Sequence, residues 1–363
     1  MGCCGSGNSL VFSNGGIVAD SSGYVGWASM ASNNNSVLVT GAGSAWTNSA
    51  SLAVGWFGSG AVTVANGGTV AAATGITIAD SDGSTGVLNI GSLGGADSAG
   101  TIDAPTIAFG SGNGTINFNQ TNSYTATNAI SGNGVVNQLG SGTTRLTASN
   151  SYTGATTVTN GRLLVDGSAA ASTITVTDAG KLGGSGVIGA ANIGNGGTLA
   201  PGSSIESLET GTLSFTGGSA YAIELDSSAP LSLAADIAIV SGGLNLNGAV
   251  TLTLNDIAAS PVAFALGTTF SLVNYNGAWN GGLFTYDGTE LTNGAVFDAG
   301  LNTWEILYDD TTGGENFSGE YLPDSTYVNI SIVPEPSTCA LFLLGGAASL
   351  WCAGRRRCRC IKR

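Results

Sequence analysis

Histidine is absent from the 363-residue chain, so any acid/base or metal chemistry would fall to carboxylates, arginines or hydroxyls. The nearest thing to a calcium loop is Asp80-Ser81-Asp82-Gly83. It lacks the third acidic position and the distal glutamate of an EF-hand loop and reads as a solvated turn. Asp309-Asp310 is a candidate carboxylate pair, but neighbours on a regular strand point to opposite faces and cannot work on one substrate. Arg145 and Arg162 stand inside a repeated phrase rather than beside an acidic cluster. Nothing pairs a nucleophile with a base, and the glycines accompany turns instead of opening a helix, as a phosphate-binding loop would require. No catalytic, cofactor or metal site is expected.

The residue types with the clearest purpose lie at the C-terminus. Val333-Pro334-Glu335-Pro336 is followed by Ser337–Gly354, an uncharged and mostly apolar stretch of 18 residues, and then by Arg355-Arg356-Arg357. Such a stretch is just long enough to span a bilayer, and the cations after it would stay on the cytoplasmic side with the body opposite. Pro-Glu-Pro, apolar span and arginine cluster, in that order, closely resemble the PEP-CTERM sorting signal of Gram-negative bacteria. The resemblance implies an exosortase-type membrane processing enzyme as partner, the lipid bilayer as anchor before processing, and the cell surface or an exopolysaccharide matrix as destination. Cys339, Cys352, Cys358 and Cys360 make this tail unusually rich in cysteine. Cys358-Arg359-Cys360 is a poor metal site without further ligands, which leaves acylation and chance both open.

At the other end, Met1-Gly2-Cys3-Cys4-Gly5-Ser6 has neither the basic start nor the apolar run of a secretory signal peptide. It matches a short myristoylation pattern, but a translation start further upstream is the favoured expectation. The first nine residues, 1–9, are expected to be unstructured.

The elements that would carry any function follow from composition. Only 9% of the residues are charged, against roughly 25% in an ordinary soluble domain. Hydrophobic residues make up 42%, which argues against disorder. Glycine is abundant but irregularly placed, which excludes collagen, and helix formers are scarce beside Gly, Thr, Ser, Asn and Val. An all-β chain remains. Residues before 355 hold only three basic side chains (Arg145, Arg162, Lys181) against all 23 acidic ones. A body that negative repels phosphate backbones, so nucleic acid is excluded as a partner. No cysteine lies between 5 and 338, so stability there must come from packing and backbone pairing.

Self-similarity supplies the architecture. Val37-Leu38-Val39, Val62-Thr63-Val64 and Val87-Leu88-Asn89-Ile90 start 25 residues apart; Val25-Gly26-Trp27 answers Val54-Gly55-Trp56; and Asn66-Gly67-Gly68-Thr69-Val70 returns as Asn195-Gly196-Gly197-Thr198-Leu199. Each phrase joins a glycine turn to a short apolar alternation. Strands this short cannot bury a face alone, but stacked at one rung per 20–25 residues they form a continuous core, the parallel β-solenoid. An antiparallel β-sandwich would also suit the turns, although not the period.

Asn150-Ser151-Tyr152-Thr153-Gly154-Ala155-Thr156-Thr157-Val158 with Gly161–Gly167, preceded by Gly140–Leu146, resembles the autotransporter-associated β-strand repeat. Gly41–Asn48 with Val54-Gly55 resembles the related tryptophan-containing repeats of the same large bacterial surface proteins. The resemblance covers about 25–220 and implies a right-handed parallel β-helix. After 230 no run is long and regular enough for the roughly ten-residue strands of a membrane β-barrel, so export is expected to rest on the C-terminal signal.

The expected organisation is therefore β-helix repeats over 10–200, a β-rich end region and cap over 201–332, and the sorting signal with one transmembrane helix over 333–363. Within the end region, Val250, Leu252 and Leu254 are expected to share one strand face. Phe270, Tyr275, Trp279, Phe284, Tyr286, Phe297, Trp304 and Tyr308 are expected to pack a cap that closes the solenoid end; a carbohydrate-stacking platform is their other reading. The function expected is that of an exported structural or adhesive surface protein. The rival class is a carbohydrate-active β-helix enzyme, which would show several carboxylates or arginines converging in a groove, where a spacer would show ladders of Ser, Thr and Asn.

Overall fold

A computed structural model describes residues 5–27 and 32–335. Its strands are short, and successive strands turn corners so that three of them make one rung of a coil. Strands on the same face of successive rungs pair in parallel. The first face is a single eleven-stranded sheet running from Ser9–Phe12 to Leu244–Asn247. The second face is a four-stranded sheet from Ile17–Asp20 to Thr101–Asp103, followed by a nine-stranded one that begins at Ser123–Ala126. The third is a five-stranded sheet from Gly23–Val25 to Ala129–Ser131, followed by an eight-stranded one that begins at Ser168–Ala169. This is a parallel β-solenoid, and the sandwich reading falls away.

The core is built from columns rather than layers. On the first face Val37, Val62, Leu88, Ile116, Val136, Thr156, Ile174, Ala191, Leu213 and Leu244 lie in register, one per rung, all buried. Each large aliphatic member contributes about 1.5–3 kcal/mol by leaving water. Together they supply the stability that disulfides do not. The register corrects the 25-residue spacing at one point. Val62 pairs with Leu88, and Val87 pairs with Ala61 on the outer side. The extra residue puts Leu88 and Ile90 inside, because a shift of one reverses which face a side chain takes.

Polar residues enter the interior where the second-face sheets change over. Gln120 donates Nε2 to Thr144 Oγ1 at 2.7 Å, and Thr144 donates to Gln138 Oε1 at 2.5 Å. Gln138 in turn donates Nε2 to the carbonyl of Gly140 at 2.8 Å. Tyr152, fully buried, shares hydrogen with Thr156 Oγ1 at 2.8 Å, and Asn150 Oδ1 accepts the Ile130 amide at 2.9 Å. These two residues of the repeat phrase replace ladder bonds in a rung whose third side has no strand between Thr143–Leu146 and Thr156–Val158.

Two boundaries differ from those expected. The chain is already paired at the start: the Gly7 amide donates to the Asn33 carbonyl at 2.9 Å and a strand opens at Ser9, so 5–9 belong to the first rung. Nor does the turn at Pro201 end the coil. Parallel pairing continues through Ala220–Leu225, Val250–Asp256 and Phe284–Tyr286, with Val250 and Leu252 buried and Thr251 and Thr253 exposed. The cap proper is antiparallel. Thr326–Ile332 pairs with Thr269–Tyr275 on one side and Asn302–Asp310 on the other, which closes the edge that a further rung would use.

Candidate functional site

The acidic candidates do not converge. In Asp80-Ser81-Asp82-Gly83, Ser84 returns its amide to the Ser81 carbonyl at 3.0 Å and Gly83 takes φ 75°, the geometry of a tight turn. Among the described residues no group of three or more Asp, Glu, His or Cys is placed to hold a metal. Asp309 and Asp310 lie at a β-bulge: Asp309 adopts φ 55°, and the pairing register shifts between Leu307 and Asp310. Asp309 accepts the Tyr275 hydroxyl at 3.3 Å, whereas Asp310 accepts the Asn329 side-chain amide at 2.9 Å and the Thr312 amide at 3.0 Å. Both carboxylates hold the cap together.

Neither arginine stands beside an acidic cluster, but one of them meets a single acid. Arg145 forms an ion pair with Asp166 on the next rung and donates Nη2 to Ser203 Oγ at 2.6 Å; Arg162 donates Nη2 to the Gly202 carbonyl at 2.8 Å. Lys181 is in register with Arg162, so the three cations of the body stand on one face of three successive rungs. Two of them strap the turn at 201–206 against the coil. A sequence cannot show this because Arg145 and Ser203 are 58 positions apart.

A third acidic grouping is structural as well. Asp236, fully buried, accepts the Glu206 amide at 3.0 Å and the Glu224 amide at 2.9 Å. Burial pushes its carboxyl up to about 8; the two amide bonds oppose that shift, and the charges of Glu224 and Glu206 add to it. A cleft of about 580 Å³ beside the cap, lined by Leu225, Leu254, Pro261, Leu301 and Asn302, contains a single carboxylate, Asp256. Asp256 is engaged by the amides of Ser227 and Ala258, each at 3.1 Å.

The aromatic residues of the end region are mostly interior. Phe270, Phe284 and Trp304 are fully buried, Tyr275 and Tyr308 nearly so, and Trp279 stacks on Tyr308 at 5.2 Å. They pack the cap.

From Thr63 onward, one outer column of the first face is polar and uncharged. Thr63, Asn89, Asn117, Asn137, Thr157, Thr175, Asn192, Ser214 and Asn245 form one column on the outer side of the first face. Asn89 donates to Thr63 Oγ1 at 3.2 Å, Asn117 to Asn89 Oδ1 at 2.9 Å, Asn137 to Asn117 Oδ1 at 2.9 Å, and Asn245 to Ser214 Oγ at 3.1 Å. Stacked amides bond to each other only when strands are parallel and in register.

One exposed aromatic group escaped the sequence reading, although its signal was present in the repeated Val-Gly-Trp phrase. Tyr24, Trp27, Trp56 and Phe57 gather at the corner between the third and first faces. Tyr24–Trp27 ring centres are 4.1 Å apart, Tyr24–Trp56 5.0 Å, Trp27–Trp56 5.3 Å and Trp56–Phe57 6.0 Å. Gly26 and Gly55 make the corner possible, with φ 73° and 76°. A Cβ on Gly26 would meet the Ser59 carbonyl oxygen at 2.8 Å, and one on Gly55 the Thr85 carbonyl oxygen at 2.2 Å.

Of the expected sorting residues, Val333, Pro334 and Glu335 follow the last cap strand, and the Val333 amide donates to the Thr303 carbonyl at 3.0 Å. Pro336, the stretch 337–354 and Arg355, Arg356 and Arg357 lie outside the described residues, as do all six cysteines. Among the described residues no helix is long and apolar enough to cross a membrane.

Comparison with known proteins agrees with the repeats. A family described as Passenger-associated-transport-repeat matches residues 136–165, which include Arg145, Asn150, Tyr152 and Arg162. The adhesin BmaC autotransporter of Brucella suis biovar 1 (strain 1330) is 40% identical over 205 residues, which is 54% of this chain and 6% of that protein. The chain thus spans a small fraction of the curated relative it matches.

Proposed function

We propose that this chain is an exported, non-enzymatic surface or matrix protein whose solenoid serves as a spacer and adhesive face. The observation that carries the reading is the column of amides and hydroxyls from Thr63 to Asn245, accessible at every rung except those of the buried Asn89 and Asn117, which offers several weak polar contacts and no positioned acid or base. The name of the relative, an adhesin, supports it. The coil is read as right-handed, the hand taken by parallel crossovers within one sheet.

Sorting is read from Val333-Pro334-Glu335-Pro336, the apolar stretch 337–354 and Arg355-Arg356-Arg357. A span beginning at Ser337 would hold the cap within about 14 Å of the bilayer, because four extended residues reach no further from Val333. An exosortase-type enzyme is the partner that would release the body to the surface or an exopolysaccharide matrix.

The test is expression in a Gram-negative host with and without such an enzyme, followed by fractionation and protease accessibility on whole cells. The body should be membrane-bound without the enzyme and surface-exposed or released with it. Replacing Glu335 with Gln should leave insertion intact and abolish release, whereas serine at all six tail cations should weaken membrane retention. A body that stays soluble and cytoplasmic in every case overturns the reading.

A further inference from the structure

The aromatic corner is more than a packing device, because its rings are accessible and a groove opens beside the corner. Trp27 and Phe57 are 36% and 45% exposed, and Trp56 is half-buried. Ser59 lies against Gly26 and Thr85 against Gly55, and both line the neighbouring groove. That groove measures about 240 Å³; Asn34, Ser36, Ser59 and Thr85 supply its polar groups, and Ala61 and Val87 make much of its surface apolar. Asp80 continues the corner: its amide donates to the Gly55 carbonyl at 3.0 Å, which puts it at the position of Trp56 one rung on.

We propose that this corner binds a neutral polysaccharide, with pyranose faces lying on Trp27 and Trp56 and sugar hydroxyls reaching Asn34, Ser59 and Thr85. The assignment rests on the adhesive reading above and gives it a ligand class. Indole faces suit the apolar faces of sugar rings, and amide and hydroxyl side chains both donate to and accept from sugar hydroxyls. A row of rings at rung spacing, about 4.8 Å, suits an extended chain better than a free monosaccharide. Charge selects the neutral class. The body holds 23 acidic side chains against three basic ones, all three of them rungs away on the second face, and the charged groups in the corner turn itself, Asp80 and Asp82, are both acidic. Uronic-acid or sulfated chains would be repelled, and so would a nucleic acid whose bases might otherwise stack.

The experiment is native affinity electrophoresis of the full chain in neutral detergent micelles, through gels containing dextran, a soluble β-1,3-glucan or galactomannan, with alginate as the acidic counterpart. At least one neutral polymer should retard the wild type, and alginate should not. Replacing both tryptophans (Trp27→Ala with Trp56→Ala) should weaken the retardation about tenfold or more. Thr85→Arg keeps all four rings, fills the groove and should weaken it too, while the double Trp→Phe variant retains much of it. If the alanine variant fails to fold, Thr85→Arg decides. Absence of retardation in every neutral gel, stronger retardation in alginate, or wild-type retardation of Thr85→Arg overturns the proposal. Cells that attach normally despite such a result would separate failure of the sugar site from failure of the adhesive reading.

Discussion

Asn117 donates its side-chain amide to Oδ1 of Asn89, one rung back, at 2.9 Å, and receives the amide of Asn137 at the same distance on the other side. Asn89 and Asn117 are each donor to one neighbour and acceptor from the next, so this stretch of the column is directional and a single change at either affects two bonds.

Asn117→Leu therefore should leave Asn89 Oδ1 without its donor and Asn137 Nδ2 without its acceptor. A loss of about 1–3 kcal/mol is expected in chemical denaturation. Asn117→Thr, which keeps one donor and one acceptor, should lose less than half of that. Equal losses would mean that the column contributes packing and not hydrogen bonding.

Core columns should be far less tolerant than outer positions. Val64 is fully buried between Val39 and Ile90, and Val64→Asp would place an unpaired charge between rungs. The thermal transition should be lost or lowered by several degrees, with neighbouring rungs opening together in hydrogen exchange. Exposed Ser111→Ala should be nearly silent by the same measures.

Stability should fall as the pH rises through the acidic and neutral range. Asp236 titrates near 8 in the fold, against an ordinary carboxylate value of 3.8 when unfolded. Between those values the folded chain holds a proton that the unfolded chain has released, so each step upward in pH favours unfolding, and the effect levels off above about 8. A decline on the order of a few kcal/mol from pH 5 to pH 8 is expected by denaturant titration, and Asp236→Asn should flatten it.

Removing Arg145 should free the turn it straps. Asp166 Oδ1 has no hydrogen-bond partner, so Arg145→Ala leaves that carboxylate partly buried and uncompensated. A destabilisation of about 2–3 kcal/mol is expected, together with faster proteolysis near 203–206. Arg145→Lys should rescue little, since one ammonium does not reproduce a fork that reaches both Asp166 and Ser203.

The rung architecture was legible because its causes are local. Gly26 and Gly55 mark corners that need left-handed backbone, Asn66-Gly67 and Asn195-Gly196 mark turns, and Val37 and Val62 recur at the spacing that stacks them. The turn at Asp80–Gly83 was legible for a similar reason, since Asp82-Gly83 carries its own turn chemistry, whereas the bulge at Asp309-Asp310 depends on the strand paired beside it. The tryptophan corner was half legible. The phrase was visible, but that the rings face solvent beside a groove depends on what the next rung places there.

Composition, glycine turns and repeated alternation thus determined by themselves that the described body is all-β, coiled in short strands and built without a cysteine to staple it. Only the tertiary structure decided that Val62 meets Leu88 rather than Val87, that the coil runs on past Pro201, and that Arg145 and Arg162 reach Ser203 and Gly202. The reason is the geometry of stacking. A rung may gain or lose residues at its corners without changing the local pattern, yet one residue of shift reverses the inward and outward faces, so register is chosen by the neighbouring rungs and not by the strand alone.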